Sequence, residues 1–378
     1  MRILHLTYRI ISNYSNPDAW LQRTNFFVAL LEEMAREADV KNIHCIDYNG
    51  VIRKNGVEYH FLKQDALRLW FPFALHNYVK KLGPDVIIVH GFAHPWQVLL
   101  LHMKMGDRVP IIIQHHSEKS LAHYKKLLQK YIDRFVAAYF FPSLEQAKSW
   151  VQKKQIGSTA KIHEVMEVPS VFFAIDRKLS RARTNVQGER VYLWVGRFDE
   201  NKDPITLISA FMRFAASNTS VRLYVIFQSE ELIEKIKALL IQQPKVSEQI
   251  TLVGKVRHDE LLYWFNSADF IISTTHYEGM GVAVCEGMSC GCIPVVTDIP
   301  SFRKMTGNGE CGLLFKAGDV SGLVITLERS LLLDLVSQRD KTLSMYKKLL
   351  SAEAISSNIV SVCRQVVSST TRLTTGAN

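Results

Sequence analysis

Two glutamates, Glu278 and Glu286, bracket the stretch Glu278-Gly279-Met280-Gly281-Val282-Ala283-Val284-Cys285-Glu286. The apolar run Phe270–Ser273 precedes it and a second, Ile293–Val296, follows, so the segment reads as a strand, a loop and a helix leading to another buried strand. Glycines on either side of Met280 let backbone approach a ligand closely. A helix opened by Gly281 offers free N–H groups and a positive dipole end to an anion. Gly291 suits its stop. Glu278 then lies at the mouth of the loop, and Glu286 about two turns into the helix on a similar side. Each carboxylate accepts bonds from neighbouring hydroxyls, so the pair can hold a polyhydroxylated, phosphorylated ligand. The competing reading makes both glutamates solvated surface groups.

Cations stand at a second strand end. Val191–Val195 is followed by Gly196-Arg197-Phe198-Asp199-Glu200-Asn201-Lys202-Asp203, then a helix from about Pro204. Arg197 brings a planar fork and Lys202 a mobile point charge, both suited to phosphate. Pairing with Asp199 and Glu200 on the surface is the alternative. In the first half of the chain, Asp85–His90 and Pro110–His115 read as buried strands ending in histidine. Ligands of parallel sheets collect at such carboxyl ends. His115, His116 and His90 are all candidates there, against the alternative of histidines satisfied by loop backbone.

The elements that must position these residues alternate strands with amphipathic segments, the pattern of parallel sheets wrapped by helices. A chain of 378 residues predicts two domains. The boundary falls near residue 172, with 1–172 and 173–352 as the two units and a polar, basic linker over 176–190. Asn16-Pro17 caps a predicted helix to about Arg36, helices follow from about Val320 to Val367, and the Ser/Thr-rich end from Val367 is expected to fray. Residues 1–9 are too short an apolar stretch for a signal peptide, and no run reaches membrane-span length, so a cytoplasmic location is expected. Six cysteines are few for a disulfide scaffold, which predicts reduced, buried thiols. Cys290-Gly291-Cys292 lacks a second ligand pair at zinc spacing, and a structural role is preferred. The net charge of +10 favours polyanionic partners.

The run from Glu278 through Glu286, Met288-Ser-Cys-Gly-Cys-Ile-Pro-Val-Val-Thr-Asp-Ile-Pro300 and Gly312–Phe315 resembles the retaining family-4 glycosyltransferases. The likeness is densest over residues 191–319. It implies an α/β GT-B fold, two Rossmann-like domains with parallel sheets facing across a cleft, the last helix near 353–367 crossing back to the first domain. It also implies a donor site of Gly196, Arg197, Lys202, Val256, Glu278, Gly279, Met280, Gly281, Val282 and Glu286. Glu278 would bind the sugar hydroxyls, Glu286 the ribose, Arg197 and Lys202 the leaving diphosphate, and the backbone near Val256 the base. His115 is the position matching the family's strand-end histidine. The sequence departs from the family's glycine-bearing turns at 12–16, 168–171 and 227–230.

The resemblance implies transfer of a sugar from a nucleotide-sugar to a glycan or lipid-linked acceptor, with retention, in polysaccharide or glycolipid synthesis. The nucleotide-sugar is a substrate; no cofactor or metal is expected, in keeping with the lack of an Asp-x-Asp motif. A nucleotide-sugar epimerase or sugar phosphorylase on the same fold is the alternative, and a non-catalytic two-domain binding protein the third reading. Within the first domain, Arg68–Lys81 and Lys119–Arg134 interleave cations with Trp70, Phe71, Phe73, Tyr124 and Tyr131. That mixture suits an anionic membrane surface on the inner face, rather than nucleic acid, or simply a core with a solvated helix face.

Overall fold

The computed structural model describes residues 1–375 apart from Ser117, Lys119, Ser120, Ala122 and Val168. The chain divides into two compact units: Met1–Pro169 together with the chain from Ala352 onward, and Ser170–Ser351.

The first unit holds eight strands: β1 (Arg2–Ile11), β2 (Asp39–Ile46), β3 (Gly50–Lys54), β4 (Val57–Phe61), β5 (Val86–His90), β6 (Ile111–Gln114), β7 (Val136–Phe141) and β8 (Ile162–Glu164). Their order is β3-β4-β2-β1-β5-β6-β7-β8, and every neighbouring pair except β3–β4 is parallel. Val86–Val89 and Ile111–Ile113 are fully buried, as central parallel strands covered on both faces must be. The β3–β4 hairpin is an element absent from the expectations. Its turn, Asn55 (φ 47°) and Gly56 (φ 84°), puts both central residues in the left-handed region that a two-residue hairpin favours.

Asn16 does cap a helix, its Oδ1 accepting from the amides of Asp18 and Ala19 at 2.9 and 3.2 Å. The single helix expected to Arg36 is instead two, Pro17–Arg23 and Asn25–Met34. They part at Thr24, whose hydroxyl bonds the Trp20 carbonyl and competes with the helical ladder. The last helix, Ala352–Thr375, packs on Asn25–Met34, burying Ile355, Ile359, Val360 and Cys363. Of the end expected to fray, residues 367–375 are helical, and residues 376–378 lie outside the described residues. Thr370 and Thr371 turn their hydroxyls onto the carbonyls of Val366 and Val367, and the helix runs through Thr375.

The second unit has six parallel strands: β9 (Arg190–Gly196), β10 (Val221–Phe227), β11 (Ile250–Gly254), β12 (Phe270–Ser273), β13 (Ile293–Thr297) and β14 (Leu313–Phe315). The order β11-β10-β9-β12-β13-β14 is that of a Rossmann sheet, with its reversal point between β9 and β12. The predicted linker is no linker: Arg177–Thr184 is a helix of this unit, packed on the helix Leu261–Ser267. Its cations have a buried partner. Asp269, 4% exposed, receives Arg177 at 2.6 Å, Arg181 at 3.8 Å and the Val191 amide at 2.8 Å, so one carboxylate ties this helix to the start of β9. All six cysteines are buried and unpaired.

Removing one partner of a buried ionic network leaves the others uncompensated. Asp269→Ala should therefore cost about 3 kcal/mol of stability. The check is a lowered urea midpoint at unchanged slope; an unmoved midpoint would show that the network is dispensable.

Candidate active site

At the reversal point of the second sheet, the loops leaving β9 and β12 lie side by side, and backbone stitches them together. The Asn201 carbonyl accepts from the His276 amide at 2.9 Å, and the Asn201 side chain exchanges two bonds with the Tyr277 backbone, at 3.0 and 3.1 Å. Thr274 donates its hydroxyl to the Lys202 carbonyl at 2.7 Å. Asp203, in a left-handed conformation (φ 45°), caps the helix Pro204–Ala215 and also accepts from His276 Nε2 at 3.0 Å. These bonds bring Lys202 Nζ onto Glu278 Oε2 in an ion pair, with side chains 22% and 21% exposed. A small cavity lies beside the pair, lined by Ser273, Thr275, Gly281 and Val282.

Gly281 is required where it stands. Its φ is 83°, and a Cβ there would meet the Phe302 ring at 2.4 Å. From it springs the helix Val282–Ser289, which has no side-chain cap and so presents its first amides to the loop. Gly279 and Met280 are buried in that loop and Val282 is exposed at the helix start. Eight positions beyond Glu278, Glu286 is only 6% exposed, its Oε1 accepting from His258 Nε2 at 2.7 Å. The two expected cations have different partners. Lys202 meets Glu278, whereas Arg197, 61% exposed, pairs with Asp199 at 3.0 Å, the surface arrangement weighed against a phosphate role. Gly196 ends β9 against the Trp194 ring, and Val256 lies partly exposed in the loop after β11. Where β10 runs into its glycine-poor turn, Phe227 at the strand end stacks on Phe198 with centroids 4.1 Å apart.

The first sheet also reverses, between β1 and β5, and there its histidines gather. His115 is buried, stacks on Phe141 with ring centroids 4.6 Å apart, and donates from Nε2 to the Glu118 carbonyl at 2.9 Å. Burial lowers its pKa against the pull of that carbonyl. His116 is the more open of the two, with 36% of its side chain exposed. It closes a chain of rings: His5 Nδ1 to His90 Nε2 at 3.0 Å, His90 Nδ1 to His116 Nε2 at 3.0 Å, and His116 Nδ1 to Glu167 Oε2 at 3.4 Å. With neutral rings, one proton placement satisfies every link, each Nδ1–H donating toward Glu167. Protonating His116 reverses both inner links and leaves His5 with an Nε2–H where that atom is buried without a partner among the described residues. Burial opposes charge on His116, but the Glu167 bond and its charge, joined by Glu118, outweigh it and raise its pKa. His90 and His5 go the other way; burial holds His90 well below the usual range and His5 near about 3.

Beside this reversal point a cavity of ≈ 420 Å³ is lined by Tyr8, Arg9, Trp70, His94, Tyr124 and Lys125, among others. Of the turns that depart from glycine, 12–16 is filled by Tyr14 packed on Trp20 at 5.1 Å; in 168–171, Val168 lies outside the described residues. Lys119, at the start of the second basic stretch, also lies outside them. Among the described residues, no three His, Cys, Asp or Glu side chains group as a metal site.

With this geometry in view, comparison with known proteins assigns the class. The profile described as glycosyl transferases group 1 matches residues 176–347, and that of glycosyltransferase family 4 matches residues 20–163. This chain belongs to that family of glycosyltransferases, and its two α/β units have the GT-B fold class. Among curated relatives, the GDP-mannose:cellobiosyl-diphosphopolyprenol alpha-mannosyltransferase of Xanthomonas oryzae pv. oryzae (strain PXO99A) is 25% identical over 237 residues, 61% of this chain and 60% of the relative. The match thus spans only three fifths of that relative's length. The N-acetylgalactosamine-N,N'-diacetylbacillosaminyl-diphospho-undecaprenol 4-alpha-N-acetylgalactosaminyltransferase of Campylobacter jejuni is 22% identical over 313 residues, 79% of this chain and 80% of that protein. Among solved structures, a sucrose-phosphate synthase from Thermosynechococcus elongatus superposes with a TM-score of 0.71 at 17% identity, covering 97% of this chain and 99% of the other.

Three partners escaped sequence reasoning: His258 on Glu286, His276 on Asp203, and the chain from His5 to Glu167. No local spacing signals them, because each bond joins segments at least 26 positions apart in the chain.

The buried histidines make acid the weak side of the first unit. Burial holds His5 and His44 near about 3 and His76 near about 4. Their folded values are depressed, so their contribution is complete above the unfolded value of about 6.5 and is lost as pH falls from there. Each costs about 1.4 kcal/mol per pH unit over that window. His44→Phe should flatten the fall of the thermal midpoint below neutrality; an unchanged slope would show that His44 is not held neutral.

Proposed function

We propose that this chain is a glycosyltransferase whose second unit binds a nucleotide-sugar and whose first unit binds a glycan or lipid-linked acceptor. The observation that carries the reading is the Lys202–Glu278 pair at the β9/β12 reversal point, beside the uncapped helix start at Gly281. In this reading, diphosphate oxygens meet Lys202 and the amides after Gly281, and Arg197 leaves Asp199 to join them. Sugar hydroxyls donate to Glu278 and ribose hydroxyls to Glu286. Charge growing on the departing diphosphate is then met by donors already in position, with no metal called for by the proposal. Transfer proceeds with retention, as the family resemblance implies, and His115 or His116 serves the first unit. The named activities of the relatives, both on diphosphate-linked lipid glycans, support this acceptor class and a part in polysaccharide or glycolipid synthesis.

Glu278→Gln should keep the fold and lower turnover about 10²-fold, the scale of losing one preorganised polar group. Lys202→Ala should weaken nucleoside diphosphate binding at least about tenfold. A nucleotide-sugar panel with product analysis checks both. Wild-type rates in Glu278→Gln would remove that residue from the site, and turnover without an acceptor would favour the epimerase reading.

The acceptor side is a surface of the first unit. Trp70, Phe71, Phe73, Tyr124, Leu127 and Tyr131 are exposed, near Lys125, Lys126 and Lys130, and Trp70 and Lys125 line the larger cavity. In this reading the patch lies peripherally on the anionic, cytoplasmic face of a membrane, aromatics at the headgroup boundary and cations on the phosphates. No helix among the described residues is long and apolar enough to cross a membrane. Binding to anionic vesicles should fall with salt and with the triple change of Lys125, Lys126 and Lys130 to Glu; equal binding to neutral vesicles would point to a soluble acceptor.

A further inference from the structure

Glu286 sits in a tight electrostatic setting. Its Oε1 is occupied by His258 Nε2 at 2.7 Å, and the His258 ring is packed under Phe172 with centroids 4.9 Å apart. The charged neighbours on the His258 turn are bound to each other: Arg257 grips Asp259 at 2.6 and 3.1 Å. On the helix of Glu286, burial holds the Cys285 thiol neutral, well above its usual range. Burial likewise raises the Cys290 thiol at the end of that helix, and the imidazole is the titratable group hydrogen-bonded to Glu286. A ribose donating to Glu286 brings a diphosphate of like charge with it, and an uncompensated carboxylate would repel that charge.

We propose that His258 is a positioning residue for the donor nucleotide: its Nε2–H holds one oxygen of Glu286 and leaves the other for ribose, and its positive charge makes nucleotide affinity depend on pH. The proposal rests on the donor-site reading of the second unit. The Glu286 hydrogen bond raises the pKa of His258 against burial, and the charges of Glu286 and Asp259 add to it. His258 is therefore charged at and below the usual imidazole value, and binding weakens as pH rises through its raised value. A neutral ring still donates from Nε2, so the loss is one of charge and not of the bond.

The test is calorimetry of uridine and guanosine diphosphate, each alone, from about pH 6 to about pH 9, a range that spans an imidazole titration. The wild type should lose about tenfold in affinity across the range. His258→Gln, which keeps an N–H donor without the charge, should show only the nucleotide's own titration; His258→Ala should bind more weakly at every pH. Coincident pH profiles for wild type and His258→Gln overturn the proposal. Should neither nucleotide bind the wild type, the donor-site reading itself falls. A measurement free of variants is proton NMR of the His258 ring: saturating nucleotide should raise its titration midpoint, and an unmoved midpoint overturns the proposal.

Discussion

The site in the second unit depends on one constraint: two loops that leave adjacent parallel strands must hold opposite charges in contact. Lys202 and Glu278 are 76 positions apart in the chain, and neither side chain alone would stay put. Partly exposed ion pairs contribute little to folding, since water screens them and side-chain entropy opposes them. The fixing is done by backbone. Asn201 answers three polar groups of His276 and Tyr277, and Thr274 anchors the carbonyl of Lys202 itself, so the pair is presented by a rigid seam. Farther back, Asp269 fixes where β9 begins, and the position of Lys202 is inherited from that anchor.

The two units use different electrostatics at equivalent places in their sheets. At the β9/β12 reversal the groups are charged and paired. At the β1/β5 reversal they are imidazoles, linked ring to ring and mostly neutral, with charge favoured only at His116, where Glu167 compensates it. A neutral relay buried among Phe27 and His44 avoids the desolvation that several charges in one sheet would cost, but it leaves His5 Nε2 unsatisfied. Glu118 bridges the loops after β5 and β6, accepting from the amides of Phe92 and His116, so the outer histidine is held by backbone as Lys202 is.

Much of this was legible in the residues. Unbroken apolar runs mark β5, β6, β12 and β13, and the glycine-flanked Met280 marks the loop of Glu278 because only glycine tolerates the φ at Gly281 beside Phe302. The helix at Arg177–Thr184 was not legible, since its mean character is that of a polar linker and what folds it is Asp269, almost a hundred positions away. The β3–β4 hairpin was signalled by Asn55-Gly56, a turn pair that outweighs the weak alternation around it. The histidine chain was beyond reach: its links join residues 85, 26 and 51 positions apart, and only the strand order brings them together.

The turns that lack family glycines carry a further consequence. Glycine there would let backbone amides come within bonding distance of phosphate, and larger side chains hold the backbone back. At 12–16 the space is filled by Tyr14, pressed on Trp20 with Arg23 5.5 Å from its ring, while the Asn16 side chain takes up the first amides of the helix Pro17–Arg23. Those amides are no longer free for an anion. The uncapped helix at Gly281 keeps its amides unclaimed by any capping side chain, and Lys202 stands at its mouth. At the first unit's cavity, Arg9 and Lys125 are the cations in the lining, beside the start of the helix Pro95–Met105, which also has no side-chain cap.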